Sequence, residues 1–192
     1  MLYLPGWGFN VDVLAYHFPV ENGYQAIAWS LGIVRLVELL KRRNLFLEKA
    51  LLLACPRKLD RKEVENFVLN YRQNPQKARY SFYRKCLWRC GVDWKDAEKF
   101  FELTGELSED MYLLEKLLQI NNIDLNVRLL AERVKEIDIV VTEYDLVVPY
   151  RIQLQLIKEL RFYHKHINVF KVATGHYLFN AIHHNFCLCH PN

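Results

Sequence analysis

The 192-residue sequence has no apolar run long enough to cross a bilayer. Its longest, Lys49–Cys55 and Ile137–Thr142, fall far short of the roughly 20 residues that a membrane helix needs. No transmembrane segment and no membrane partner are expected. The first residues, Met1-Leu-Tyr-Leu-Pro, lack the positive stretch and small-residue cleavage site of a secretory signal, so a cytoplasmic location is the expectation. Cysteine is sparse: Cys55, Cys86, Cys90, Cys187 and Cys189 are odd in number and irregularly spaced, which fits reduced thiols better than a disulfide scaffold. Internal repeats and low-complexity tracts are lacking. Nor is one sign of charge in excess, since Lys+Arg 26 against Asp+Glu 22 leaves +4, too little over a whole domain to argue for a nucleic-acid partner. What the chain does have is apolar mass. With 52% hydrophobic and 14% aromatic residues it can bury a full core, and its length suits one compact domain with a small insertion.

Five short apolar runs bounded by turn residues or charge predict strands at Leu2–Leu4, Ala26–Trp29, Lys49–Ala54, Ile137–Thr142 and Asn168–Val172. Helical patterns lie between and after them, at roughly 11–18, 31–43, 149–162 and 177–189, with a long block over 59–133. Strands alternating with helices predict an α/β fold with a mostly parallel sheet of about five strands. The long block exceeds any minimal crossover. It is expected to form a helical cap, residues 57–133, over a core made of 1–56 and 134–192. Charge concentrates there: from Arg57 to Arg89 ten basic residues face three acidic ones, a balance of +7 that leaves about −3 for the rest. A solvated helix face explains most charge runs; the functional alternative is a docking face for an acidic partner.

Three residues sit where chemistry could be done. In Ala26-Ile-Ala-Trp-Ser-Leu-Gly32 a strand runs into Ser30, turns, and continues as an amphipathic helix. This is the context of a nucleophile elbow, with Ala28 replacing the usual first glycine. Asp145 follows the fourth strand and His176 follows the last. Singly these are a loop serine, a turn-forming aspartate and a structural histidine. Their order, Ser, Asp, His, each past a strand's carboxyl end, is that of the α/β hydrolases. Ser30 would be the nucleophile, His176 the base and Asp145 the group that orients the imidazole. The N–H of Leu31 and that of Trp7, in the glycine-flanked loop Leu4-Pro-Gly-Trp-Gly-Phe9, would form the oxyanion hole.

Gly6-Trp-Gly-Phe9, Trp29-Ser-Leu-Gly32, Asp145-Leu-Val-Val-Pro149 and Gly175-His-Tyr177 resemble the pimeloyl-acyl-carrier-protein methyl ester esterases of biotin synthesis. Val64-Glu-Asn-Phe67 and Lys77-Ala-Arg79 resemble that family's cap. The resemblance implies hydrolysis of the methyl ester of the pimeloyl-carrier protein without a cofactor or metal. It also implies that Phe67 lines the acyl channel and that Lys62, Arg79 and Arg84 grip the acidic carrier. Asn66 stands where the family has arginine. About twenty residues separate Trp7 from Ser30, too few for the extra strand and helix usual there, so the fold expected is a trimmed α/β hydrolase, and a monomer. A general carboxylesterase or thioesterase would use the same residues, and a degenerate hydrolase would carry them without activity.

Two other patterns carry less. Cys187-Leu-Cys189-His190 with His183 and His184 could hint at a metal, yet the only partner pair, Cys86-x₃-Cys90, has the spacing of small buried hydrophobes on one helix face. Cys55 as a nucleophile is disfavoured by Pro56, which lacks the N–H an oxyanion hole would use; Cys55 fits better as a wall near the site. A basic binding module with Tyr71, Tyr80, Phe82, Tyr83 and Trp88 interleaved is the rival from another class.

Overall fold

The computed structural model describes residues 1–18, 23–121 and 125–181. Five strands, β1 (Leu2–Leu4), β2 (Ala26–Trp29), β3 (Leu47–Leu53), β4 (Val134–Thr142) and β5 (Ile167–Val172), form one sheet in the order β1-β2-β3-β4-β5. Every neighbouring pair is parallel. β2 and the second half of β3 are wholly buried, as near-continuous Val/Ile/Leu/Ala runs in a parallel sheet should be. β3 and β4 begin earlier than the apolar runs suggest. Charged residues alternate with apolar ones there: the register pairs Leu47 with Val134 and Lys49 with Glu136, Val134 is buried in the core with Leu47 packed against it, and the ion pairs Lys49–Glu136 at 2.8 Å and Lys135–Glu48 at 2.7 Å bridge the strands.

The connections are helical: α1 (Asp12–His17), α2 (Gly32–Arg42), α3 (Arg61–Gln73), α4 (Pro75–Leu87), α5 (Trp94–Glu98), α6 (Leu107–Asn121), α7 (Val127–Arg133) and α8 (Tyr150–Tyr163). α7 packs on α2 and α8 against the sheet, whereas α3 packs on α4 and α6. The starts of α3 and α4 follow from their caps. Asp60 accepts from the Lys62 and Glu63 amides, and Asn74 accepts from that of Lys77 ahead of Pro75 at the first helical position. Asp110 draws α3 and α6 together: it accepts from the Tyr71 hydroxyl and from the Thr104 and Gly105 amides at 3.1 and 3.0 Å. The aromatic run of the binding-module reading divides accordingly, with Tyr71 and Tyr83 fully buried while Tyr80 and Trp88 are exposed. The helix expected over 177–189 and the Cys/His group at 183–190 lie almost wholly outside the described residues. Among those described, no helix is long and apolar enough to cross a membrane, and no three His, Cys, Asp or Glu side chains are grouped to hold a metal ion.

Candidate active site

Ser30 occupies the turn between β2 and α2 with φ +54°, a left-handed conformation that costs a non-glycine residue of order 1–3 kcal/mol and gathers at functional sites. Its amide is held by the Leu53 carbonyl at 2.8 Å. Two residues on, α2 passes so close to the end of β1 that a Cβ on Gly32 would lie 1.9 Å from the Leu4 carbonyl oxygen. Only glycine fits, which explains why the turn keeps its second glycine. Ala28, in place of the first, is fully buried and paired with Leu4 and Leu52, so its methyl is accommodated in the sheet. α2 starts directly after Ser30-Leu31, placing its positive dipole end beside the hydroxyl, while the Ile33 and Val34 amides turn back to the Ser30 and Leu31 carbonyls at 3.4 and 3.1 Å.

Asp145 lies in the turn after β4. Its Oδ1 accepts from the Val147 and Val148 amides, both at 2.7 Å, while its Oδ2 accepts from Thr142 Oγ1 at 2.9 Å and lies 2.8 Å from His176 Nδ1. Four donors fill the carboxylate's acceptor sites, and both Asp145 and His176 are buried. Thr142 is in turn held by Gln153, whose amide nitrogen donates to its hydroxyl at 3.0 Å and whose oxygen accepts from its backbone at 2.9 Å. Sequence reasoning missed both residues. The available signal was Gln153 itself, a carboxamide on the α8 stripe otherwise made of Leu156, Ile157 and Leu160.

The His176 loop is gripped from the other side by the end of α4. Cys86 O accepts from the Tyr177 amide at 2.9 Å, Arg89 O accepts from Thr174 Oγ1 at 3.1 Å, and Trp88 O lies where a Cβ on Gly175 would stand, 1.9 Å away. Trp29 joins this loop to the elbow: its Nε1 donates to His176 O at 3.2 Å and its ring lies 5.2 Å from the imidazole. Among the described residues no hydrogen bond links the Ser30 hydroxyl to His176. Such contacts often tighten only when substrate binds.

Ser30, Leu31, Trp7 and Phe67 line one cavity of about 130 Å³. Trp7 and Phe67 meet edge to face at 5.2 Å and both contact Phe82. The Trp7 indole donates to Leu113 O at 2.7 Å, fixing its loop to α6. Asp60, Glu63 and Lys85 are the charged residues among those lining the cavity. Cys55 does not line it. It sits beneath the elbow with Sγ 3.3 Å from Ala28 O, and burial pushes its thiol well up. Of the basic residues singled out, Lys62 and Arg84 are exposed, Arg84 over the Tyr80 ring at 5.7 Å. Arg79 is half-buried, bonded to Leu103 O at 3.4 Å and facing Gly105.

The fold has counterparts among solved structures. The chain is similar to BioG from Haemophilus influenzae, at TM-score 0.64 and 17% identity over 94% of this chain and 89% of that one. An esterase from Exiguobacterium antarcticum matches at TM-score 0.64 and 13% identity, over 83% of this chain and 62% of its own. The enol-lactonase from Burkholderia xenovorans matches at TM-score 0.57 and 14% identity, over 86% and 64%. The fold is that of the α/β hydrolases. No protein-family model and no curated protein matches the sequence. Against the larger hydrolases the chain spans about two thirds of their length, and its sheet is trimmed to five strands, as the short Trp7–Ser30 interval leads one to expect. All strand pairs are parallel rather than most.

Proposed function

We propose that this α/β hydrolase is a serine carboxylesterase acting on the methyl ester of a pimeloyl group carried by acyl carrier protein. The observation that carries the reading is the strained Ser30 turn opening into a largely apolar cavity, with the buried Asp145–His176 pair beyond β4 and β5. Likeness to BioG over nearly the full length of both chains supports it, together with the resemblance of Gly6-Trp-Gly-Phe9, Trp29-Ser-Leu-Gly32 and Gly175-His-Tyr177 to the pimeloyl-carrier-protein methyl ester esterases.

In this mechanism His176 Nε2 takes the Ser30 proton as Oγ attacks the ester carbon, and the Leu31 and Trp7 amides bind the oxyanion. His176 returns the proton to the leaving methoxide, releasing methanol and leaving an acyl-serine. Water, deprotonated by the same imidazole, then cleaves the acyl-serine to the free carboxylate and regenerates Ser30. Asp145 keeps Nδ1 protonated and the ring aligned. Residues 57–133 act as a cap whose Phe67 borders the acyl chain, and Lys62, Arg79 and Arg84 orient the acidic carrier in the cytoplasm. The test is growth of a biotin-requiring strain lacking this esterase, supplied with wild type or Ser30→Ala, together with labelling by an organophosphonate. Growth and labelling with wild type alone support the reading. Labelling without growth would leave a general carboxylesterase, and neither with soluble protein would leave a noncatalytic one.

A further inference from the structure

Gln153 is the polar exception among the side chains that α8 buries. The rest of that stripe is Leu156, Ile157 and Leu160, and Gln153 is as deep as they are, 1% exposed. A carboxamide in such a place costs free energy unless its groups are bonded. They are: Oε1 accepts from the Thr142 amide at 2.9 Å, and Nε2 donates to Val148 O at 2.7 Å, Thr142 Oγ1 at 3.0 Å and Thr142 O at 3.2 Å. Both ends of the 142–148 loop are thereby fixed to α8. That loop carries Asp145, and its Leu146, Val147 and Val148 form part of the wall of the cavity at Ser30. Gln153 is not among the residues lining that cavity.

The bonds have a direction. The Thr142 amide can only donate, so the carboxamide oxygen must face it and Nε2 must face the Thr142 hydroxyl. That hydroxyl has one proton. With its oxygen accepting from Nε2, the proton is left for Asp145 Oδ2 at 2.9 Å, and the same Oδ2 faces His176 Nδ1 at 2.8 Å. A carboxylate bonded in this way accepts from the ring, which puts the imidazole proton on Nδ1 and leaves the Nε2 lone pair for Ser30. We propose that Gln153 is a positioning residue for the Asp145–His176 pair: through the Thr142 hydroxyl it orients Asp145, and through Asp145 it sets the tautomer of His176. Its effect on rate rests on the serine-esterase reading, whereas the chain of bonds does not.

Gln153→Met keeps the length of the side chain and removes every bond it makes. Turnover of a p-nitrophenyl ester by the full chain, counted per site that an organophosphonate labels so that unfolded protein drops out, should fall about tenfold in kcat with KM held within about twofold. Should Gln153→Met not fold, Gln153→Glu reads the same quantity. It keeps the shape and the acceptor for the Thr142 amide but has at most one proton to give in place of two, and kcat should again fall with KM held. Combined with Thr142→Val, either substitution decides the route. Two changes acting through one hydroxyl should together cost about tenfold, as each does alone. The roughly hundredfold loss of independent effects would overturn the proposal, as would an unchanged kcat in the Gln153 variants. Proton NMR of the His176 Nδ1–H reads the chain without turnover: its low-field resonance should shift or broaden in the Gln153 variants, and identical spectra overturn the proposal. A wild-type chain that neither cleaves the ester nor takes the label, yet shows that resonance moving on substitution of Gln153, would sink the esterase reading and leave the positioning role.

Discussion

Thr142→Val isolates the support of Asp145. Valine keeps the shape of threonine and removes one of four donors to a buried carboxylate, the 2.9 Å bond from Oγ1 to Oδ2. The Val147 and Val148 amides and His176 remain, and the Gln153 amide keeps Val148 O at 2.7 Å and Thr142 O at 3.2 Å. The loss is therefore one charge-assisted bond, about 2 kcal/mol. For a chain of this size that lowers Tm by about 4–8 °C. Because Oδ2 is also the atom facing His176 Nδ1, turnover of a small ester should fall about tenfold in kcat with little change in KM. Thr142→Ser is the control: it keeps the bond and loses one methyl, about 1 kcal/mol. Calorimetry and p-nitrophenyl ester hydrolysis read both variants. If Thr142→Ser impaired kcat more than Thr142→Val, packing rather than the hydrogen bond would be holding Asp145, and the reasoning would be refuted.

Gly32→Ala should cost about 3 kcal/mol or more, because the new Cβ would press on the Leu4 carbonyl, backbone that cannot rotate away; a wild-type melting curve would contradict this. Arg84→Glu should lower the ratio of carrier-linked to small-ester turnover about tenfold at low salt and progressively less as ionic strength rises. Arg84 is the better probe than Arg79, whose guanidinium also anchors the Leu103 carbonyl; a salt-independent loss would remove the docking role. Burial pushes the thiols of Cys55, Cys86 and Cys90 up, that of Cys90 to about 11 from 9.0. Above pH 9 the unfolded chain releases thiol protons that the folded chain keeps, so stability is intact below pH 9 and falls between 9 and 11. A Tm that held or rose over that window would show the thiols to be less buried than the structure has them.

The sequence alone determined the strand sequence and the positions of Ser30, Asp145 and His176, because buried parallel strands are continuous apolar runs and chemistry in such sheets gathers just past their carboxyl ends. It also determined the elbow, since a glycine two residues after a serine at a strand-to-helix turn is a local signal. What it could not reach depended on residues distant in the chain. The true starts of β3 and β4 rest on the pairing of Leu47 with Val134, beside which Lys49–Glu136 and Lys135–Glu48 bridge residues 87 positions apart, and charge in sequence looks like a strand's end. The Asp145 support needs Gln153 on α8 to turn inward. Arg79 counted as surface charge until the Leu103–Gly105 loop closed over it. The grip of α4 on the His176 loop belongs to packing alone. Periodicity says which face of a helix is buried, and only the folded chain says against what.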